Sequence, residues 1–358
     1  MHFRPKRLSG QVIVITGATS GIGLVTARMA ARRGARLVLV SRNKDSLQHL
    51  RDECAGNGCE AICVQADVGS EDAMRGVADQ AAAHFGGFDT WVNNAGIGIF
   101  GRVTEVAAED RMRLFDTDFW GVVHGSLAAL PRLKAGGGTL INVGSAFADR
   151  AAPLHGYYSA AKHAVKAFTT ALRMEVEQAG APVAVCLVTP SAIDTMFPVH
   201  ARNYTDHVPK LPPPQYAPET VAEAILHLAA HPRAELYVGS TGKLLASASY
   251  HAPRLVDRIM ELVMFRLQQT RTPASRKHED ALFQPMQGLR ERSGRTAYVQ
   301  EHSIYTGIAR HRTATTLLLA AAAAALYWKA AGRARRQRPL LQPTKGPALR
   351  QPLPQGIQ

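Results

Sequence analysis

The stretch VIVITGATSGIGLV, residues 12–25, joins an apolar run to a glycine-rich turn and then to a helical pattern. Gly17, Gly21 and Gly23 permit a tight turn that brings the N-terminus of the helix close to a pyrophosphate. The free N–H groups and the dipole of that helix end favour the negative charge. Three glycines alone are a weak signal, but their place between a strand and a helix predicts a dinucleotide site. The residues expected at the cofactor are Thr16, Gly17, Thr19, Ser20, Gly21, Ile22 and Gly23.

Outward from this turn, short apolar runs alternate with amphipathic helical stretches as far as about residue 238. Unbroken apolar runs are typical of strands buried on both faces, and parallel pairing requires helical crossovers between them. The predicted strands are 12–16, 36–41, 61–65, 89–93, 139–143, 183–188 and 235–239. The predicted helices are 21–33, 44–55, 70–85, 111–133, 157–178 and 218–230. We therefore expect an α/β fold with a doubly wound parallel sheet, which binds its ligands at the carboxyl ends of the strands.

The segment after the second predicted strand bears on the choice of cofactor. A site for NAD would place an Asp or Glu roughly 20 residues after the glycines, where it binds a ribose hydroxyl. This chain has Ser41, Arg42, Asn43 and Lys44 instead. An acid would repel a 2′-phosphate, whereas Arg42 can bind it through charge-assisted hydrogen bonds. We expect NADP(H), with Ser41 and Arg42 at the phosphate; the alternative is that Arg42 is a surface cation.

A tyrosine and a lysine stand four residues apart in HGYYSAAKHAVKAF, residues 155–168. At helical spacing Tyr158 and Lys162 lie on one face. A free tyrosine hydroxyl, with a pKa near 10, is a poor proton carrier at neutral pH, and a neighbouring ammonium favours the phenolate. Such a pair is often an incidental surface contact, but Ser145 follows the fifth predicted strand. Together the three residues indicate an acid–base site.

At this point the chain closely resembles the short-chain dehydrogenase/reductase family over about residues 10–240. The resemblance rests on several motifs, each after its expected strand: TGATSGIG (16–23), Asp67-Val68, NNAG (93–96), INVGSA (141–146), YYSAAK (157–162) and TPSAIDT (189–195). It implies a seven-stranded Rossmann fold and hydride transfer between a nicotinamide cofactor and a carbonyl or alcohol.

The resemblance also implies roles for individual residues. Ser145 would hold the substrate oxygen, Tyr158 would be the proton donor or acceptor, and Lys162 would tune Tyr158 and bond the nicotinamide ribose. The implied cofactor contacts beyond the first turn are Asp67 and Val68 at the adenine, Asn93, Asn94, Ala95 and Gly96 along the fourth strand, and Pro190, Ser191, Ile193 and Thr195 on the nicotinamide side. The family's usual Pro-Gly is Pro190-Ser191 here.

An acid stands in the predicted helix LFDTDFWGVVHGSLAAL, residues 114–130. The resemblance places Asp118, not Asp116, where the family has an Asn that holds a water linking the lysine to solvent. A carboxylate can accept a proton from that water but cannot donate as an amide does. We expect an altered relay with a shifted pH profile, and Asp118 is therefore counted among the catalytic residues.

These features predict an NADP(H)-dependent oxidoreductase that interconverts a carbonyl and an alcohol. Loops after the fourth, fifth and sixth strands carry Ile97, Phe100, Phe147, Met196, Phe197 and Tyr204, which favour an apolar substrate. The Pro-rich segment 208–219 is either a covering flap or a rigid connector. The alternative functions are a low-turnover NADP(H)-binding sensor or membrane-tethered scaffold, and an epimerase or dehydratase on the same fold. The resemblance implies a homodimer or tetramer formed through helices 111–133 and 157–178.

The C-terminal part of the chain differs in charge from the rest. Residues 270–358 carry 15 Lys/Arg against 4 Asp/Glu, so most of the net charge of +14 belongs there. A basic tail of this kind can bind anionic lipid head groups. No sequence motif of a nucleic-acid-binding domain accompanies it, so we expect no nucleic-acid partner. The predicted organisation is a catalytic domain (1–250), a helical or irregular extension (251–312), an Ala-rich apolar segment (313–329) and a basic, Pro/Gln-rich disordered tail (330–358).

The apolar run TATTLLLAAAAAALYW, residues 313–328, leaves two alternatives open. As a helix it would span about 24 Å, short of the ~30 Å hydrocarbon core, although Tyr327, Trp328 and the following basic cluster suit a membrane interface. It is either a membrane-anchoring helix or an Ala-rich helix that packs on a neighbour. The same two readings, surface-bound or docked, apply to the helix predicted at 254–269. We expect a cytoplasmic protein, with or without this anchor.

Four cysteines, Cys54, Cys59, Cys63 and Cys186, lack the paired spacing of a zinc site. We expect reduced, structural thiols and no metal.

Overall fold

Seven apolar runs of the sequence form one parallel sheet in the computed structural model. We name its strands in chain order β1 to β7: Val12–Thr16, Arg36–Ser41, Ala61–Gln65, Thr90–Asn93, Gly138–Val143, Val183–Pro190 and Glu235–Val238. Their order across the sheet is β7-β6-β5-β4-β1-β2-β3. The order reverses between β1 and β4, and in doubly wound sheets ligands bind at such a switch point. The predicted Rossmann-type fold is confirmed.

The structure describes residues 4–275, 279–295 and 298–310, together with Gly346. The predictions for 313–329 and 330–358 therefore lie outside the described residues, apart from Gly346. None of the helices in the described ranges is long and apolar enough to cross a membrane.

Helices cover both faces of the sheet. The helices are α1 Gly21–Arg32, α2 Lys44–Gly56, α3 Glu71–Phe85, α4 Ala108–Phe115, α5 Gly121–Gly136, α6 Gly156–Gln178, α7 Phe197–His200, α8 Pro218–Ala230, α9 Ser240–His251, α10 Pro253–Leu267 and α11 Ile304–Arg310. Along β1 the side chains alternate: Ile13 and Ile15 pack in the core beside α1, α2 and α8, whereas Val12 and Val14 pack beside α3, α5 and α6. Both sets are buried, which explains why β1 reads as an unbroken apolar run.

One predicted helix contains an irregularity. The pattern at 111–133 predicts a continuous helix, but a π-helical turn, Asp116–Trp120, separates α4 from α5. Such a turn adds a residue to the helical spacing and is frequent at functional sites. It places Thr117 and Asp118 in the interior while Asp116 stays exposed.

The chain after β7 packs back onto the sheet, so that residues up to Arg310 form one compact unit. The helix predicted at 254–269 is α10, which docks by Val256, Met260 and Met264 and leaves Leu255 and Leu262 exposed. The short elements are strands Ile99–Phe100, Arg202–Asn203, His207–Pro209, Gln215–Tyr216, Gln269–Pro273 and Val299–Gln300, and 3-10 turns Leu8–Gly10 and Ala146–Ala148. We name residues 279–290 the strap, because they cross the end of the sheet at the carboxyl ends of β1 and β2.

Candidate active site

The turn after β1 is fixed by close backbone contacts. Gly17 has a φ of +66°, and a Cβ there would lie 2.9 Å from the Cα of Ala95. A Cβ on Gly23 would lie 2.1 Å from the carbonyl oxygen of Gly17, so only glycine fits. The Thr16 hydroxyl accepts hydrogen bonds from the backbone N–H groups of Asn94 (3.0 Å) and Ala95 (3.1 Å). The ends of β1 and β4 are thus held together, and α1 begins at Gly21 against them.

Ser145, Tyr158 and Lys162 meet in one cavity of about 560 Å³. Ser145 follows β5 directly and its hydroxyl caps the short turn after it by accepting a hydrogen bond from Phe147 N at 3.2 Å. Tyr158 and Lys162 come from the first turns of α6, and the Lys162 ammonium lies 5.6 Å from the centre of the Tyr158 ring. The structure therefore brings together the serine, tyrosine and lysine that the sequence singled out.

Asp118 lies beside this lysine. Its side chain is fully buried; Oδ1 accepts a hydrogen bond from Ile97 N at 2.8 Å, and Oδ2 lies 3.3 Å from Lys162 Nζ. Lys162 Nζ also donates to the carbonyl oxygen of Val143 at 3.5 Å. The π-helical turn directs the Asp118 side chain inward, so its carboxylate contacts the Lys162 ammonium directly.

Burial and charge act in opposite directions on these groups. Burial raises the pKa of Asp118, and the Lys162 cation and the Ile97 N–H oppose that rise. Burial lowers the pKa of Lys162, but Asp118 and Tyr158 together raise it by more than burial lowers it. The pKa therefore lies above its usual value, and the ammonium is retained. The buried pair therefore holds a permanent cation next to the tyrosine.

The pKa of Tyr158 does not follow the simplest expectation from the sequence. Lys162 lowers it, as expected, and so does a hydrogen bond with Ser145, but burial and the Asp118 charge raise it more. The net shift is upward, because the apolar surroundings disfavour the phenolate more strongly than one cation stabilises it. Asp118 is therefore part of the electrostatics of the tyrosine as well as of the lysine.

Aromatic and apolar side chains form the substrate side of the cavity. Of the residues expected there, Ile97, Phe147, Met196 and Phe197 line it. Phe100 is fully buried behind them against His155, and the Tyr204 hydroxyl instead bonds to Asp110, so neither reaches the cavity. The sequence did not indicate that Leu245, Ile259, Met264 and Leu267 would also contribute, from α9 and α10. The wall also includes 211–214, so the Pro-rich segment covers the cavity.

The predicted cofactor residues fall into two groups. Those that line the cavity are Gly17, Ser20, Gly21, Ile22, Asn94, Ala95, Gly96, Pro190, Ser191, Ile193 and Thr195. Thr16, Gly23 and Asn93 support this wall from behind, since Asn93 bonds to Ser126 and Asn142. The glycine turn, the helix N-terminus and Lys162 fit the nicotinamide and pyrophosphate end of a dinucleotide.

The residues expected at the adenosine end do not line the cavity. They are Ser41, Arg42, Asp67 and Val68, and Thr19 of the glycine turn does not line the cavity either. The Thr19 and Ser41 hydroxyls bond to each other at 2.8 Å, and Asp67 pairs with Arg113 at 2.5 Å. Arg42 does not face open space; its guanidinium donates to carbonyl oxygens of the strap. Arg113 and the strap were missed by the sequence reasoning, since no local pattern there signals a ligand site.

The four cysteines are all free thiols, and Cys54, Cys59 and Cys186 are buried. Among the described residues no group of three or more His, Cys, Asp or Glu side chains is placed to hold a metal ion.

Comparisons with known proteins agree with this architecture. A family model described as short chain dehydrogenase matches residues 11–204, and the chain belongs to that family. An uncharacterized oxidoreductase, YxnA, from Bacillus subtilis is 45% identical over 304 residues, 84% of this chain and 85% of that protein. A match of 304 residues is longer than the region 1–250, so it extends into the C-terminal extension.

Solved structures show the same fold. A short-chain dehydrogenase/reductase from Burkholderia phymatum in complex with NAD is 26% identical, with a TM-score of 0.64 over 70% of this chain and 96% of that one. An alcohol dehydrogenase from Thermococcus sibiricus complexed with 5-hydroxy-NADP is 29% identical, with a TM-score of 0.56 over 63% of this chain and 95% of that one.

Proposed function

We propose that this protein interconverts a carbonyl and an alcohol on an apolar substrate, with NADP(H) as cofactor and Ser145, Tyr158, Lys162 and Asp118 as the catalytic set. The observation that carries the proposal is the convergence of these four side chains on one cavity whose other end is the glycine turn. When bound, the nicotinamide supplies or accepts a hydride.

The residues of the chain divide the remaining work. The Ser145 hydroxyl donates a hydrogen bond to the substrate oxygen, and the Tyr158 hydroxyl gives that oxygen a proton during reduction or removes one during oxidation. The Lys162 cation, held by Asp118, stabilises the charge that develops on the tyrosine. Hydrogen-bond donors that the fold holds in place stabilise the alkoxide-like transition state more than the ground state.

The preference for NADP(H) over NAD(H) rests on Arg42. No acid stands at residues 41–44 to bind a ribose hydroxyl, and Arg42 lies at the end of β2 with its guanidinium near Asp67 and Arg113. A second cation there favours a phosphate. Comparing the affinities of NADPH and NADH tests the preference, and equal affinities would contradict it.

The substrate class follows from the cavity wall. Ile97, Phe147, Phe197 and Met264 present carbon atoms around the cluster of Ser145, Tyr158 and Lys162. Removing apolar substrate surface from water contributes roughly 25 cal/mol per Å². We propose an apolar ketone, aldehyde or alcohol whose single oxygen lies at Tyr158.

A tyrosine substitution tests the catalytic assignment. Tyr158→Phe removes the proton donor, and we expect kcat to fall by roughly 10²–10⁴ while NADPH still binds. NADPH oxidation would be followed on a panel of aliphatic, aromatic and polycyclic ketones and aldehydes. Tyr157→Phe is the matched control, because the Tyr157 hydroxyl donates to Val103 O and faces away from the cavity.

The outcomes separate the competing functions. Tight NADPH binding without turnover on any compound, unchanged by Tyr158→Phe, would favour a cofactor-binding sensor or scaffold. Turnover without net consumption of NADPH would favour an epimerase or dehydratase.

A further inference from the structure

The strap occupies hydrogen-bonding groups that the first turn would otherwise offer to a ligand. Gly21 N, at the start of α1, donates to the carbonyl oxygen of Arg290 at 3.0 Å. Leu289 N donates to Thr19 O at 2.7 Å, and Gly288 N donates to Ser46 Oγ at 3.2 Å. The helix end expected to bind a phosphate is thus partly satisfied by the chain itself.

The same segment fills the place expected for the adenosine. Arg42 donates to the carbonyl oxygens of Leu282 and Phe283, each at 3.2 Å, and also to that of Ala281. Arg113 donates to Leu282 O at 3.0 Å while pairing with Asp67. The Leu282 side chain is fully buried, in a cluster with Ile97 and Leu114.

These contacts match what an adenosine phosphate would provide. A nucleotide offers anionic oxygens to a cation and a helix end, and a flat, largely apolar base to a buried niche. The strap offers carbonyl oxygens to Arg42 and Gly21 N and a leucine side chain to the niche. Because Leu282 leaves no exposed surface there, a base cannot enter beside it.

Two ion pairs hold the strap in place, one on either side of its central part. Asp280 pairs with Arg202 at 2.5 Å on one side, and Glu291 pairs with Arg28 at 2.8 Å on the other. Beyond them the Ser293 hydroxyl donates to the buried Asp194 at 2.7 Å. None of these three contacts involves Arg42 or Gly21, so the central part can lift while its ends stay attached.

Resting on the proposed function, we infer that the strap competes with the adenosine half of NADP(H), so that dinucleotide binding requires residues 281–290 to leave the groove. The apparent dissociation constant then exceeds the intrinsic one by the inverse of the fraction of molecules whose groove is open. Reduced nicotinamide riboside lacks the phosphates as well as the adenosine half, so it offers nothing to Gly21 N or Arg42 and does not encounter the strap.

Leu282→Ala in the full-length chain tests the competition. We expect it to tighten 2′,5′-ADP binding, measured by calorimetry, roughly tenfold, because the strap loses its buried anchor and the groove opens more often. Binding of reduced nicotinamide riboside, which has neither phosphate nor adenosine, should not change. Leu133→Ala, which truncates a fully buried leucine of α5, controls for general destabilisation and should leave 2′,5′-ADP binding unchanged.

Hydrogen exchange on the unaltered protein provides a second readout. Adding 2′,5′-ADP should increase exchange at the Gly288 and Leu289 amides if the nucleotide displaces the strap. Unchanged or slower exchange at those amides, or unchanged or weaker 2′,5′-ADP binding by Leu282→Ala, would overturn the competition while leaving the proposed function intact. A protein that binds none of NADPH, NADH and 2′,5′-ADP would instead overturn the proposed function and the competition with it.

Discussion

At the scale of single residues, Asp118 is the side chain that most alters the expected chemistry. It is fully buried, lies 3.3 Å from Lys162 Nζ, and adds a negative charge that raises the pKa of Tyr158. An amide at this position could hold a water but would carry no charge. Asp118 therefore affects the proton affinity of the tyrosine besides fixing the lysine.

Asp118→Asn should move the pH–rate profile toward lower pH. Without the carboxylate the pKa of Tyr158 falls, because the nearby negative charge that helped to raise it is gone. In the oxidation direction the tyrosine must be deprotonated, so activity should appear at lower pH. In the reduction direction the tyrosine must be protonated, so activity is lost as the pH rises, and in the variant this loss should begin at a lower pH. Initial rates between pH 5 and 10 in both directions measure the shift.

The control for this substitution lies two residues earlier. Asp116 belongs to the same π-helical turn but is exposed, and Asp116→Asn should leave the profile unchanged. Superimposable profiles for Asp118→Asn and the unaltered protein would show that the carboxylate does not act on the tyrosine.

At the scale of elements, the turn between β1 and α1 depends on one close approach. The Cβ of an alanine at 23 would meet the Gly17 carbonyl oxygen at 2.1 Å, and the Asn94 side chain at 2.6 Å. Asn94 itself donates to Thr16 O at 2.9 Å, which joins this turn to the end of β4. A change at Gly23 therefore disturbs two strand ends at once.

Gly23→Ala should force open the turn between β1 and α1. We expect dinucleotide affinity to fall at least about 100-fold and the free energy of unfolding to fall by about 2–4 kcal/mol, because the turn must open. Gly76→Ala is the matched control: it lies within α3 with nothing within 4 Å of its added Cβ, so it should be neutral or stabilise by up to about 1 kcal/mol. NADPH titration and urea denaturation measure both; normal NADPH affinity in Gly23→Ala would contradict the assigned turn.

At the scale of the whole molecule, apolar side chains remain exposed on the helices expected to join copies of the chain. Trp120 and Leu127 are 47% and 50% exposed, and their spacing of seven residues puts them on one face at the start of and within α5. On α6, Met174 is 57% exposed. Large apolar side chains that line one face in this way are typical of a surface buried on association.

Leu127→Glu should therefore reduce the mass of the protein in solution to that of one chain, measured by sedimentation equilibrium. A charge buried between copies without a partner costs several kcal/mol, enough to dissociate a micromolar dimer. Leu244→Glu on α9, where the leucine is 70% exposed, is the control and should leave the mass unaltered. A monomeric unaltered protein, or equal masses for all three, would contradict association through α5.

Much of this molecule was determined by the sequence alone. The seven strands, the glycine turn and the set of Ser145, Tyr158 and Lys162 could be predicted because each depends on local properties. Apolar runs, glycine at a close approach and i,i+4 spacing act within a few residues, and the position of a motif after a strand sets the edge of the sheet on which it lies.

Only the tertiary structure decided what depends on distant segments. The π-helical turn that directs Asp118 to Lys162 is a packing outcome that no helical pattern encodes. Arg42 was predicted to face a phosphate, but its guanidinium contacts backbone carbonyl oxygens of Ala281, Leu282 and Phe283, about 240 positions away. Carbonyl oxygens are the same on every residue, so the sequence of the strap could not reveal that it would lie in the groove; only the folded chain brings the two together.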